Sequence, residues 1–138
     1  MTETPLTTLE IEPADAARSS VIWMHGLGAD ARDFEPIVPE LRLPAELGIR
    51  FVFPNAPIRP VTVNGGMRMR AWYDVLSMDL PRQEDPEGVY ASERAIYALL
   101  EREQQRGIPA ERIVLAGFSQ GGAMALHTGL RYPDRLAG

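Results

Sequence analysis

Cysteine is absent from the 138 residues, so disulfides and thiolate metal sites are excluded together. A surplus of positive charge is also missing. Fourteen Lys and Arg face nineteen Asp and Glu, a net charge of -5, without the basic footprint that a nucleic-acid binder shows first. No apolar run approaches the roughly 18 residues of a membrane span. The start, Met1-Thr-Glu-Thr-Pro5, is polar and acidic and has no signal-peptide core after it. The expectation is a cytoplasmic protein. Internal repeats and low-complexity linkers are lacking too. What remains is 45% hydrophobic and 24% charged, the balance of a globular chain long enough for one domain with a real core.

Strand and helix signals alternate along that chain. Leu6 to Ile11 is a mixed stretch that reads as an edge strand. Val21 to Met24 is a short apolar run ending at His25-Gly26, as a buried parallel strand does. Phe34, Ile37, Val38 and Leu41 fall at helical spacing. Arg50 to Phe53 is the next strand. Asn55 to Met69, with its prolines and Gly65-Gly66, is a long excursion; Ala71 to Val75 reads as a short strand and Pro81 to Gly88 as polar loop. Val89, Ile96, Leu99 and Leu100 mark a second helix, closed by Gly107 and Pro109. Ile113 to Leu115 is a third buried strand. Ala123, Leu126, His127 and Leu130 mark a third helix, closed by Pro133. Such alternation predicts an α/β fold, a mostly parallel sheet with helices on its faces.

One stretch carries chemistry. Gly117-Phe-Ser119-Gln-Gly121 has the form G-x-S-x-G, which chance alone supplies in roughly 4% of chains of this composition. Context strengthens it, because an apolar strand leads in and a helix leads out, the setting of a nucleophile elbow. A sharp strand-to-helix turn lifts the serine hydroxyl clear of the sheet. The N–H of Gln120 then lies at a helix N-terminus, where a developing oxyanion is favoured. The bland alternative is a Gly-Ser turn that merely caps a helix. His25-Gly26-Leu27-Gly28 follows the first strand, where this fold places the loop donating the second oxyanion N–H, and Leu27 is the candidate donor. His25 invites a metal or general-base reading. No second ligand lies at suitable spacing, so it reads as a structural histidine holding the loop. His127, on the apolar side of its helix, reads as a satisfied core residue.

Taken together the chain resembles the carboxylesterase/phospholipase family of α/β-hydrolases, the group that includes acyl-protein thioesterases. The residues that carry the likeness begin at Val21-Ile-Trp-Met-His-Gly-Leu-Gly28, Asp33-Phe-Glu-Pro-Ile-Val-Pro-Glu-Leu41 and Phe51-Val-Phe-Pro-Asn-Ala-Pro57. They continue through Arg59 to Asp74 and the Gly117 to Gly122 elbow, in a style closer to bacterial carboxylesterases than to eukaryotic thioesterases. The resemblance implies Ser119 as acyl acceptor, Leu27 and Gln120 as main-chain oxyanion donors, and no cofactor or metal. It implies a small acyl-ester substrate of short to medium chain length, with thioesters and lysophospholipids as further candidates. Met67, Met69 and Trp72 could line an acyl channel or could equally be packing under a long loop.

The sequence departs from that family in one respect. The triad of an α/β-hydrolase runs Ser, then Asp or Glu, then His. After Ser119 come only His127, within the nucleophile helix, and Asp134, in the turn after it. Neither is placed to serve. Residues 1–138 therefore read as the nucleophile half of a single domain, its acid and base absent. Losing triad members of a serine hydrolase costs on the order of 10⁴ to 10⁶ in kcat, so the expectation is an inactive chain. A second expectation is an unpaired apolar edge at Ile113 to Leu115 that invites self-association. Two other readings stay open: a non-catalytic α/β binding module, and an enzyme whose missing groups come from another chain.

Overall fold

The computed structural model describes residues 5–78 and 85–138. A four-stranded sheet organises them, in the order β1 (Thr8–Ile11), β3 (Ile49–Pro54), β2 (Ser19–Met24), β6 (Ile113–Gly117). β3, β2 and β6 run parallel, and β1 closes the far edge antiparallel to β3. The expected edge strand and the three apolar runs are thus the sheet. Of the polar loop expected over Pro81 to Gly88, residues 81–84 lie outside the described residues, and Pro86 to Gly88 are instead the first residues of a helix that Asp85 caps.

Alternation along the strands divides the core. Ile22, Met24 and Val52 face α1 (Pro86–Gln105) and α2 (Gln120–Arg131), together with Trp72, Ile96, Leu100 and Met124. Phe51 and Phe53 face the opposite side with Val21, Trp23, Phe34 and Val38. Both α-helices lie on the first face; the second is roofed by a 3-10 segment, Glu35–Leu41. The helix read from Phe34, Ile37, Val38 and Leu41 is therefore a 3-10 helix instead of an α-helix. Pro36 sits in the first turn, where an N–H has no partner in any helix. Pro39 lies inside the segment and has no N–H to give, and seven residues with that gap do not sustain an α ladder. The excursion after β3 contains a hairpin that periodicity did not show, β4 (Ile58–Val61) against β5 (Met67–Arg70). Pro60 is tolerated there because a two-stranded ribbon leaves one side of each strand unpaired. Ala71 to Val75 is loop, not strand.

α1 begins at Asp85, whose side chain accepts from the Gly88 N–H, with Pro86 at the first helical position. It ends where Gly107, at φ +94°, donates to Gln104 O while Ile108 donates to Glu103 O, a Schellman closure. α2 buries Gln120, Gly121, Met124 and Thr128. This overturns the expected inward stripe: Leu126 is 68% and Leu130 85% exposed, and Ala123 is exposed beside them. His127 belongs to that correction. It lies half-exposed, its Nε2 3.3 Å from Glu93 Oε1 without a hydrogen bond, and its ring edge-on to Tyr90. The edge of β6 also differs from expectation. Ala137 N–H donates to Ile113 O at 2.9 Å and Leu115 N–H to Gly138 O at 3.1 Å, so the last residues run beside the strand. Among the described residues, no helix is long and apolar enough to cross a membrane.

Candidate active site

Ser119 stands between β6 and α2 with φ 55° and ψ -119°, a conformation that side chains other than glycine's rarely adopt. Its side chain makes no capping hydrogen bond to α2 and the residue is exposed. A serine that merely capped a helix would use its oxygen on the first-turn N–H groups. This one does not.

The strained turn is made possible by glycines whose missing Cβ atoms leave space for backbone. A Cβ on Gly117 would strike the carbonyl of Gly121, and a Cβ on Gly121 would strike the carbonyls of Met24 and His25. A Cβ on Gly26 would already lie 3.4 Å from Phe118 O and 3.5 Å from Ser119 Cβ. The first βα loop and the elbow therefore touch main chain to main chain, and Phe118 N–H seals them by donating to Met24 O at 3.1 Å. Phe118 covers the outside, its ring edge-on to Phe34, which stacks on Trp23.

Leu27 sits in that loop, which is fixed at four points. Gly28, at φ +77°, donates to Arg70 O at 2.9 Å, and Ala29 N–H donates back to Gly26 O. Ala31 N–H donates to Asn55 Oδ1 at 2.8 Å. Ala56 N–H donates to His25 Nε2 at 3.0 Å, so the ring proton sits on Nδ1 and is given to Gly26 O at 2.7 Å. Burial pushes the His25 pKa down, ahead of the opposing bond to Gly26, and keeps the ring neutral. His25 is the loop-holding histidine that the sequence suggested. The main-chain N–H groups of Leu27 and Gln120 have no hydrogen-bond acceptor among the described residues.

Gln120 contributes more than its N–H. Its Oε1 accepts from Trp72 N–H at 2.7 Å and its Nε2 donates to Tyr73 O at 2.9 Å, clamping the loop after the hairpin. Trp72 is fully buried, donates its indole N–H to His25 O and has its carbonyl bonded by Ser92. It packs and braces, with no free surface to line a channel. Met67 is exposed, while a Cβ on Gly28 would lie 3.7 Å from the Met69 sulfur. The Gln120 clamp and the Asn55 bond went unread in the sequence. A polar residue that begins a helix, and an asparagine that follows a strand, were the available signals.

His127 and Asp134, the histidine and carboxylate that follow Ser119 in the sequence, do not adjoin it along the chain. His127 lies eight residues along α2, about 12 Å of helix rise from Ser119. Asp134 lies in the exposed turn beyond α2. An open crevice of about 300 Å³, lined by Leu9, Asp30, Ala31, Arg32, Asn55 and Arg70, does not include the elbow.

Comparison with known proteins bears on the family and the fold. A sequence profile described as Phospholipase/Carboxylesterase matches residues 8–138. The chain is 41% identical over 133 residues to acyl-protein thioesterase 1 of Schizosaccharomyces pombe, covering 96% of this chain and 58% of that protein. It is 41% identical over 126 residues to acyl-protein thioesterase 1 of Neurospora crassa, covering 87% and 51%. The crystal structure of SOBER1 from Arabidopsis thaliana superposes with a TM-score of 0.82 at 34% identity, over 88% of this chain and 59% of that one. The chain thus spans between half and three fifths of the length of these relatives, and its fold is a partial α/β-hydrolase fold. By profile, by identity and by superposition, the chain belongs to the phospholipase/carboxylesterase family.

Proposed function

We propose that this chain carries the nucleophile and oxyanion half of a serine carboxylesterase. Ser119 attacks the acyl carbonyl and becomes acylated, the leaving alcohol or thiol departs, and water then releases the acid. The N–H groups of Leu27 and Gln120 receive the negative charge that develops on the carbonyl oxygen. The substrate is a short to medium acyl ester, with thioesters and lysophospholipids as further candidates, and Met67 and Met69 on the hairpin face the acyl chain. No cofactor enters this chemistry. The observation that carries the reading is the backbone of Ser119, strained at a strand-to-helix junction, hydroxyl uncommitted, with two main-chain donors free nearby.

The chain by itself is proposed to be inactive, because a neutral serine hydroxyl without its base is a poor nucleophile. A p-nitrophenyl ester assay tests this directly. The expected rate lies on the order of 10⁴-fold or more below that of full-length relatives. A comparable rate, abolished by Ser119→Ala, would overturn the claim of inactivity while confirming the nucleophile. Turnover that survives Ser119→Ala would end the assignment of Ser119.

A further inference from the structure

The chain has two asparagines, Asn55 and Asn64, and the fold leaves them in opposite chemical situations. An asparagine side chain can be attacked at Cγ by the main-chain nitrogen of the residue after it. The attack needs a side-chain amide that can turn, a nitrogen that can approach, and no Cβ in the way. We propose that Asn64 is a self-modification site, which closes on its own main chain in the folded protein and opens to aspartate or isoaspartate.

Asn55 meets none of these needs. Its Oδ1 accepts from Ala31 N–H at 2.8 Å and its Nδ2 donates to Thr7 Oγ1 at 3.0 Å. The nitrogen that would attack it belongs to Ala56, which is fully buried and donates to His25 Nε2. Asn64 is exposed, at the end of the 3-10 turn Thr62–Asn64 that joins β4 to β5. Its side chain has one hydrogen bond among the described residues, from Nδ2 to the Met69 sulfur at 3.7 Å, and a thioether is a weak acceptor. Gly65 and Gly66 follow, both at positive φ, and nothing lies within 4 Å of where a Cβ on either would sit. A five-membered ring has room there. Gly65 N–H donates to Thr62 O at 3.1 Å. Opening that bond, between two exposed residues, frees the nitrogen, and a glycine pair gives the turn the freedom to open.

The atoms balance with water alone. The Gly65 nitrogen gives up its proton and bonds to Asn64 Cγ as the Cγ–Nδ2 bond breaks, and Nδ2 leaves with that proton as ammonia. Water then opens the succinimide. Breaking the new N–Cγ bond gives aspartate; breaking the original N–C bond gives isoaspartate. Either product adds one negative charge. Isoaspartate also adds one atom to the main chain just ahead of the Val61 to Met67 register of the hairpin. The carboxylate replaces the amide that donated to Met69, on the hairpin assigned above to the acyl chain. That consequence alone rests on the esterase reading; the modification does not.

The test incubates the full 138-residue chain at mildly alkaline pH, once folded and once unfolded in urea. Conversion raises peptide mass by about 1 Da, is localised to each asparagine by fragmentation, and isoaspartate is counted by enzymatic methylation. Unfolding should change the Asn64 rate by less than about 10-fold, and should raise the Asn55 rate about 100-fold or more, because attack there waits on opening of the core. Asn64→Gln, which would need a larger ring, should remove the isoaspartate signal. Folding that slows Asn64 by about 100-fold or more would overturn the proposal, since the turn would then be closed to attack. So would isoaspartate undiminished in Asn64→Gln, or conversion at Asn55 as fast as at Asn64 in the folded chain. None of these readouts depends on Ser119, so failure of the esterase reading leaves them intact.

Discussion

The two ends of the sheet are held by opposite means. At the carboxyl ends of β2 and β6, main chain packs on main chain, and the contact survives only because Gly117 and Gly121 have no side chains. At the amino ends, side-chain charge does the holding. Glu103, fully buried at the end of α1, accepts from Ser20 at 2.5 Å, Arg50 at 2.9 Å and Arg106 at 2.9 Å. Glu10 and Glu12 extend the cluster to Arg102, Arg106 and Arg50. The contrast teaches where adjustment is possible. A charged side chain can find another partner or water, but a carbonyl wedged against a carbonyl cannot move without moving its strand.

Gly121→Ala should therefore be the most damaging single change. Its Cβ meets the backbone of Met24 and His25, and Gly121 leads the helix that follows Ser119. Overpacking costs about 1–3 kcal/mol where side chains can yield. Here backbone must yield, so the loss should reach about 3 kcal/mol or more, roughly 10 °C in Tm. Thermal denaturation checks it, and a loss below about 1 kcal/mol would show that the elbow is softer than its contacts indicate.

At the other end, Glu103→Leu removes the shared acceptor of two arginines and a serine. Breaking a buried pair from one side typically costs about 3–5 kcal/mol. Arg50 and Arg106 keep Glu12 and Glu10, so a loss of about 2 kcal/mol is expected by urea denaturation. Pairing it with Arg50→Met should recover part of that loss, since an apolar pair strands no charge. No such rescue is expected for Gly121→Ala.

Ser119→Gly sharpens the comparison with a gain in place of a loss. Residues held outside the favoured backbone regions cost of order 1–3 kcal/mol, and glycine removes that cost while losing some chain entropy. A net stabilisation of about 1 kcal/mol is expected, with complete loss of any acyl transfer. A variant less stable than the parent would mean that the turn at Ser119 is not strained.

Much of the elbow was legible because its physics is local. Strand, glycine, serine, glycine and helix are consecutive, and a tight turn between buried elements needs those residues. β2, β3, β6 and α1 were readable for the same reason, as runs of one period. Among the features that were not, three show why. The 3-10 helix at Glu35–Leu41 kept helical spacing while Pro39, inside it, removed a hydrogen-bond donor. α2 had apolar residues on both sides, so periodicity could not say which stripe faced the core. The Glu103 cluster joins residues as far apart as Glu10 and Arg106, and only the folded sheet brings them together.

Acid should separate the two ends by pH. At the elbow end, burial depresses the His25 pKa below its ordinary 6.5. The unfolded chain then binds a proton that the folded chain refuses, so stability present above pH 6.5 is lost as pH falls toward the folded value. At the opposite end, burial raises the Glu10 carboxyl, but the bonds from Arg106 and Thr8 and the nearby Arg102 charge outweigh it. The net shift is below 4.5. Its contribution is present above 4.5 and is lost only as pH falls through that lower folded value. A urea midpoint followed from pH 7.5 to 3 should therefore decline in two stages. His25→Gln should flatten the first stage and leave the second, and Glu10→Gln should do the opposite. The effect is the smallest of the four, and it would fail if His25→Gln left the slope just below pH 6.5 unchanged.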